Sequence, residues 1–298
     1  MAIGGSGMMN VMIFGCGYSG QAIAEAFKSE GHPVSGTVRT ADKALELATR
    51  DVEAFVFDGS RFSDELLTKL PEITHLVQSI PPGKEGDPLL KLISGRLREL
   101  CPKLEWIGYL STVGVYGDHG GGWVTEETPG SPIQGRSIER VDTEEAWTAV
   151  GRAAGLPVAS LRLSGIYGPG RNAFVNLARG TARRIIKRDQ VFNRIRVEDI
   201  GGAALFLAKG NLGGIYNVTD DEPGPPQDVI VEAARLMGVE PPPEQDFETA
   251  EMTPMARSFY GANKRVSNAR IRAAGFEFRF PNYRMSLAEL WSSDRWRG

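Results

Sequence analysis

Residues 14–20 read FGCGYSG, which places Gly15, Gly17 and Gly20 at the spacing G-x-G-x-x-G. An apolar run, NVMIF (10–14), precedes them, and GQAIAEAFKSEG (20–31) follows with helical periodicity. In that strand–turn–helix order the glycines have a physical reason. The first permits a tight turn, the second lets the backbone approach a pyrophosphate, and the third lets helix and strand pack closely. The diphosphate would face free N–H groups at the positive end of the helix. The stretch therefore predicts a dinucleotide site at Gly15, Gly17, Tyr18, Ser19 and Gly20. The plain alternative is an ordinary turn between a strand and a helix.

Working outward, VSGTVR (34–39), AFVFD (54–58), HLVQSI (75–80), WIGYLS (106–111) and VASLRLSGIYG (158–168) read as strands, with helices at 41–50 and 138–154 among their connections. Short β-rich runs alternating with helices predict an α/β fold, a Rossmann-type doubly wound parallel sheet with a small C-terminal substrate lobe. The nucleotide-binding domain is expected over 8–170, joined by 196–220, where a helix (200–210) and a strand (214–220) read clearly. The Pro-rich turns DEPGPPQ and EPPPEQ punctuate a smaller lobe, expected over 171–195 and 221–298.

Composition narrows the function classes. A chain of 298 residues, 41% apolar, can bury a substantial core. Its formal net charge of −3 gives no global reason to bind nucleic acid or an anionic membrane, and its basic stretch, with Phe192 alone among the cations, lacks the aromatic interleaving that would support nucleic-acid binding. No apolar run is long enough to span a bilayer. The Gly/Ser-rich start, MAIGGSGMMN, lacks the charged and apolar regions of a secretory signal and reads as a loose tail. Two cysteines, Cys16 and Cys101, resemble neither a disulfide framework nor a metal motif, so no metal is expected and a reduced, cytoplasmic setting is the simplest expectation.

The end of the second strand bears on the choice of dinucleotide. About 20 residues past such glycines an NAD site carries Asp or Glu for the ribose 2′-hydroxyl. Here the strand ends TVRT, with Arg39 and no carboxylate before Asp42. A guanidinium suits a 2′-phosphate, so NADP(H) is expected, with NAD(H) as the alternative.

Five segments in order, GCGYSG, VFDGS around Asp58, YLSTVGVYGD (109–118), RLSGIYGPGR (162–171) and RIRVEDIGGA (194–203), make the chain resemble the extended short-chain dehydrogenase/reductase superfamily, also described as NAD-dependent epimerase/dehydratases. Its ending, with SFYGANKRVSN (258–268) and FRFPNYRMSL (278–287), is similar to an atypical, YeeZ-like branch. The resemblance implies that Asp58 contacts adenine and that Ser79, Ile80 and Pro81 replace the usual fourth-strand cofactor contacts. It further implies that Gly165 and Ile166 border the nicotinamide, while Tyr116, Tyr167 and Arg171 line the substrate cleft. Thr112 falls on the catalytic Ser/Thr position, with Ser111 just before it. A homodimer is expected by analogy alone.

The same resemblance implies a catalytic tyrosine followed four residues later by a lysine, and neither is present. There is no tyrosine between Tyr116 and Tyr167 and no lysine between Lys103 and Lys187, so no register restores the pair. Anchored on the acidic residues that follow, RSIERVDTEE (136–145) puts Arg136 at the tyrosine position and Arg140 at the lysine position. Arg140 could still bind ribose hydroxyls; Arg136 cannot serve as a base, because arginine stays protonated. His119, the histidine nearest the expected cleft, is the candidate to move the proton in place of the tyrosine, although a Gly-flanked loop histidine is more often simply solvated. The basic stretch 179–196, with Arg184 and Arg194, suits a small anionic substrate or a soluble basic face. Two readings follow: an atypical NADP-dependent oxidoreductase or epimerase on a phosphorylated or nucleotide-linked sugar or carbonyl compound, and a non-catalytic NADP(H)-binding sensor or interaction protein.

Overall fold

The computed structural model describes residues 7–133 and 135–298; the start read as a loose tail falls, over residues 1–6, outside them. In chain order the elements are β1 (Val11–Phe14), α1 (Tyr18–Ser29), β2 (Val34–Val38), α2 (Ala41–Ala48), β3 (Glu53–Val56), α3 (Asp64–Lys69), β4 (His75–Gln78), α4 (Pro88–Ile93), α5 (Leu97–Leu100) and β5 (Trp106–Thr112). Then come β6 (Trp123–Val124), α6 (Gly135–Ala154), β7 (Val158–Leu163), β8 (Gly165–Tyr167), α7 (Ala173–Ala178), β9 (Arg184–Ile186), β10 (Arg194–Arg196), α8 (Val197–Lys209) and β11 (Gly214–Val218). The rest holds α9 (Pro226–Met237), β12 (Glu244–Asp246), α10 (Pro254–Ser258), β13 (Arg265–Val266), α11 (Ala269–Ala273) and α12 (Tyr283–Ser292). They form two compact units, one from described residues within 1–112, 134–162 and 200–216, the other from 113–133, 163–199 and 217–298.

The central sheet has seven strands in the order β11-β7-β5-β4-β1-β2-β3, with β1–β2, β1–β4, β2–β3 and β4–β5 parallel. All four residues of β1 are buried, as a parallel strand covered on both faces requires. Helix α1 buries Gly20, Ile23, Ala24 and Phe27, one face of a 3.6-residue repeat. Met12, Phe14, Leu76, Ile107, Tyr109 and Trp147 belong to one continuous cluster, where each large side chain contributes roughly 1.5–3 kcal/mol by leaving water. The Thr40 side chain accepts from the Lys43 N–H and starts α2, so β2 stops at Val38 and Arg39 occupies the turn.

One expected element is corrected. Residues 158–168 are not a single strand: β7 ends at Leu163, and β8 pairs in parallel with β10 in a separate two-stranded sheet. The Gly165 N–H donates to Asn193 O at 3.0 Å, and a Cβ on Gly165 would lie 3.0 Å from the same oxygen. Glycine lets the chain leave the large sheet there.

The second unit adds the small parallel pairs β6–β13 and β9–β12. Phe174, Ala233, Tyr283, Leu287, Leu290 and Trp296 form its apolar cluster. Arg196 is fully buried, paired with Glu198 (2.6 Å) and Glu289 (2.9 Å) beneath the Phe280 ring. Among the described residues no helix is long and apolar enough to cross a membrane.

His75 opens β4 between Val11 and Trp106 and is 4% exposed. Burial, helped by nearby His32, pushes its pKa down from 6.5 to about 4. The fold therefore holds the neutral ring. Its stability is complete above pH 6.5 and declines as pH falls towards 4, by about 2–4 kcal/mol in all. Denaturant unfolding at pH 7 and pH 4.5 should show a loss that is smaller in His75→Gln; equal losses in the two proteins would refute this.

Candidate functional site

The glycine turn is built where β1 ends. Gly15 has φ +84°, and a Cβ there would sit 2.8 Å from Ile80 Cγ1 and 3.0 Å from Ile80 N. A Cβ on Gly20 would lie 2.9 Å from Gly15 O, so the start of α1 is pressed against the turn. Thr37 of β2 fastens the loop, accepting the Gly15 N–H on Oγ1 (3.0 Å) and the Cys16 N–H on its carbonyl (2.7 Å). Above Gly17 there is open space within 4 Å. Gly17 caps α1 without a side chain, and no acidic residue stands in the first turn, where Tyr18 and Ser19 lie. Such a cradle fits a diphosphate: close backbone, a positive helix end, and nothing negative.

Two further residues expected to contact the dinucleotide lie just past strand ends. Arg39, two residues beyond Thr37, is exposed and has no hydrogen-bond or ion-pair partner among the described residues. Asp58, two residues past β3, is also exposed. Its Oδ1 accepts the Ser60 N–H (2.8 Å) and hydroxyl (2.6 Å), and those bonds hold the carboxyl below the usual range.

Ser79, Ile80 and Pro81 follow β4 and are positioned by residues that sequence reasoning missed. Gln78 donates to both oxygens of buried Asp87 (2.7 and 2.8 Å), and its own Oε1 accepts the Ile80 N–H (3.2 Å). Asp87 also accepts Leu89 N–H, Leu90 N–H and Trp147 Nε1–H. The available signal was Asp87-Pro88, a cap followed by proline at the first helical position. This network fixes the loop whose Ile80 lies over Gly15.

At the end of β5, successive residues point to opposite faces. Ser111 is buried and donates to Glu144 Oε1 on α6. Arg162 of β7 grips the same carboxylate through Nε (3.0 and 3.2 Å) and Nη2 (2.7 Å). Thr112 ends the strand half-buried. One turn before Glu144, Arg140 turns inward, donating to Leu110 O and lying 5.8 Å above the Tyr109 ring. Arg136 is exposed and has no hydrogen-bond or ion-pair partner among the described residues. The two arginines therefore do not share one solvated face.

In the second unit, Gly165, Ile166 and Tyr167 form β8, in register with Arg194, Ile195 and Arg196. Tyr116 is fully buried and donates its hydroxyl to Asn217 (2.7 Å), which makes it framework rather than substrate contact. His119 Nε2–H donates to Tyr116 O (3.0 Å), and its backbone N–H donates to Asn263 O, so the histidine braces its own loop. Arg171 is exposed. The basic stretch is not one anion-facing row: Arg184 pairs with Glu244 (2.6 Å), Arg183 holds Gln245, and Arg194 and Arg196 are internal. Arg194 and Arg196, two apart on β10, share one face of that strand, while Arg183 and Arg184 are held by Gln245 and Glu244 of the β12 segment. Among the described residues no group of three His, Cys, Asp or Glu side chains could hold a metal ion.

Comparison with known proteins agrees with this geometry. The NAD dependent epimerase/dehydratase family matches residues 11–218. Protein YeeZ of Escherichia coli is 28% identical over 293 residues, covering 92% of this chain and 97% of that protein. A 3-diazoavenalumate denitrifying reductase from Streptomyces is 27% identical over 264 residues, covering 78% and 83%. The solved structure of a functionally unknown conserved protein from Silicibacter pomeroyi superposes with TM-score 0.86 at 42% identity, covering 96% and 99%.

The Glu144–Arg162 pair allows a direct test. Removing one partner of a buried ion pair strands the other charge, at a cost of about 3–5 kcal/mol. Glu144→Gln and Arg162→Met should each lower the unfolding free energy by that order. The double variant should lose clearly less than the sum, as read by urea denaturation; strict additivity would show that the pair is not coupled.

Proposed function

The chain belongs to the NAD dependent epimerase/dehydratase family, and on that premise we propose that it is an NADP(H)-dependent oxidoreductase or epimerase acting on a small anionic carbonyl or sugar compound, phosphorylated or nucleotide-linked. The observation that carries the choice of NADP(H) is Arg39: exposed, unpaired, and two residues beyond the threonine that fastens the glycine turn. A guanidinium with no carboxylate of its own suits a ribose 2′-phosphate.

The chain's residues divide the work of binding. Gly15, Gly17, Tyr18, Ser19 and Gly20 hold the diphosphate, Arg39 the 2′-phosphate and Asp58 the adenine, with Ser79, Ile80 and Pro81 closing over the turn. Arg140 braces the β5 backbone and reaches the ribose from there. When bound, the nicotinamide supplies hydride chemistry. Thr112, at the end of β5, hydrogen-bonds the substrate oxygen. An arginine at the tyrosine position supplies no base, so no side chain is assigned to the proton that accompanies hydride transfer. The reductive direction is supported by the name of the Streptomyces relative, itself a reductase. Two buried free cysteines fit a reducing, cytoplasmic setting.

A second reading, a non-catalytic NADP(H) sensor, is favoured by one observation: the residue at the tyrosine position is an exposed arginine, and the neighbouring Ser111 hydroxyl is already donated to Glu144. Oxidation of NADPH in a screen of ketose phosphates and nucleotide sugars separates the two readings.

Arg39→Ala should weaken NADPH binding about 10- to 100-fold, the worth of one or two charge-assisted hydrogen bonds, while NADH affinity changes less than about threefold. Fluorescence titration of both cofactors measures this. Wild-type protein that binds NADH more tightly than NADPH would sink the assignment.

A further inference from the structure

Among the described residues three arginines are buried, and one of them lacks an ion-paired carboxylate. Arg162 has Glu144, and Arg196 has Glu198 and Glu289. Arg194, 8% exposed, donates only to main-chain carbonyls: Phe192 O (3.2 Å), Gly224 O (3.4 and 3.3 Å) and Pro225 O (3.2 Å). Its guanidinium lies 5.5 Å over the Tyr283 ring. These bonds hold the group in place while its charge stays without an ion pair among the described residues.

Around that charge stand oxygens with nothing to bond. Asp220 Oδ2, the Tyr167 hydroxyl and the Tyr283 hydroxyl are all buried and have no hydrogen-bond partner. Asp220 and Tyr283 are each 1% exposed. All three groups interact electrostatically with Arg194, as does Asp228 of α9, which forms no ion pair with it. The strand register explains the convergence. Arg194 and Arg196 of β10 face the same side as Gly165 and Tyr167 of β8, and Gly165, opposite Arg194, adds no side chain. The Ser286 hydroxyl, beside Tyr167, accepts from Arg196 Nη1 (2.9 Å) and keeps its own proton to donate. The Asp220 N–H donates to Arg194 O (2.8 Å), which brings its carboxyl to the same place.

An unmet buried hydroxyl or carboxyl oxygen costs about 1–3 kcal/mol, and native proteins rarely leave several together. Something polar therefore completes the cluster. We propose that Arg194, Tyr167, Asp220 and Tyr283 form a receptor within the second unit for one anionic oxygen-bearing group, a carboxylate or a phosphate. Burial raises Asp220 to about 8, so at neutral pH it keeps its proton and joins the two phenols as a third O–H donor. Three donors and an unneutralised guanidinium favour a negative oxygen over a neutral one. The proposal rests on the reading of an anionic substrate only for the source of that group; a free metabolic anion would satisfy the same chemistry. Sequence analysis placed Tyr167 and Arg194 among the substrate contacts; Asp220 and Tyr283 are new.

The test uses the full chain with inorganic phosphate and acetate as probes, at constant ionic strength in chloride. Calorimetry and thermal unfolding are expected to show saturable binding of one probe at millimolar concentration, with a rise in Tm that chloride does not give. Tyr283→Phe and Tyr167→Phe each remove one hydroxyl and no packing volume. Each should weaken that binding at least fivefold and abolish most of the Tm rise, and Asp220→Ala, which removes the third donor altogether, gives the same loss by a separate route. No probe binding beyond the chloride control, or equal binding in all variants, would overturn the proposal and leave ordered water as the occupant. NADPH affinity, measured alongside, should not change in these variants. Its absence in the wild type would refute the cofactor reading without touching this one.

Discussion

Glu144 is the fastening on which the first unit turns. Its two oxygens take the Ser111 hydroxyl and two nitrogens of Arg162, joining α6 to β5 and β7 through one buried carboxylate. Charges this deep are tolerated only when paired and fully hydrogen-bonded. Once Glu144 is fixed, the rotation of α6 is fixed too. Trp147, one turn later, reaches Asp87; Arg140, one turn earlier, reaches the β5 backbone. Asp87 in turn holds Gln78, and Gln78 holds the loop against Gly15. A continuous set of polar contacts thus runs from α6 to the glycine turn.

That chain of contacts explains what was legible in the sequence. The turn at Gly15, Gly17 and Gly20 is built from its own backbone, so their spacing was enough to place it between β1 and α1. The alternation of strands and helices was equally local, and the seven-stranded sheet follows it. The break at Ser164 was not legible, because it depends on Asn193, almost thirty residues away, accepting from Gly165. Gln78 and Asp87 were hidden for the same reason. Each is an ordinary polar residue until the fold brings them together. The acidic pair at 144–145 served as an alignment anchor, but only the fold shows that Glu144 is the buried member and Glu145 the exposed one.

The missing tyrosine also reads differently once α6 is in place. Arg140 of α6 lies against β5, donating to Leu110 O beside the Tyr109 ring, while Arg136, one turn earlier, faces outward. On the alignment that the resemblance implies, the two arginines differ in chemistry and in place. Arg140 keeps a charge and donors. Arg136 offers only a fixed charge, which cannot cycle a proton. Any turnover on this scaffold relies on cofactor placement and substrate orientation more than on a positioned base, and such a site gives up the roughly 10²–10⁴-fold that general acid–base catalysis contributes.

The buried arginines sharpen the contrast between framework and function. Arg162 and Arg196 are neutralised by carboxylates supplied from neighbouring elements, which is how a fold makes an internal cation affordable. Arg194 is held as firmly, by three carbonyl groups, yet no carboxylate is ion-paired with it among the described residues, and Asp220, which feels its charge, is pushed by burial towards its neutral form. If structure alone were at stake, an ionised carboxylate in hydrogen-bonding contact would be the cheaper arrangement, as it is two residues along the same strand at Arg196. A strand that pairs one arginine fully and leaves the next but one without a counter-charge, among hydroxyls that also lack partners, marks the second as facing something the chain does not itself supply.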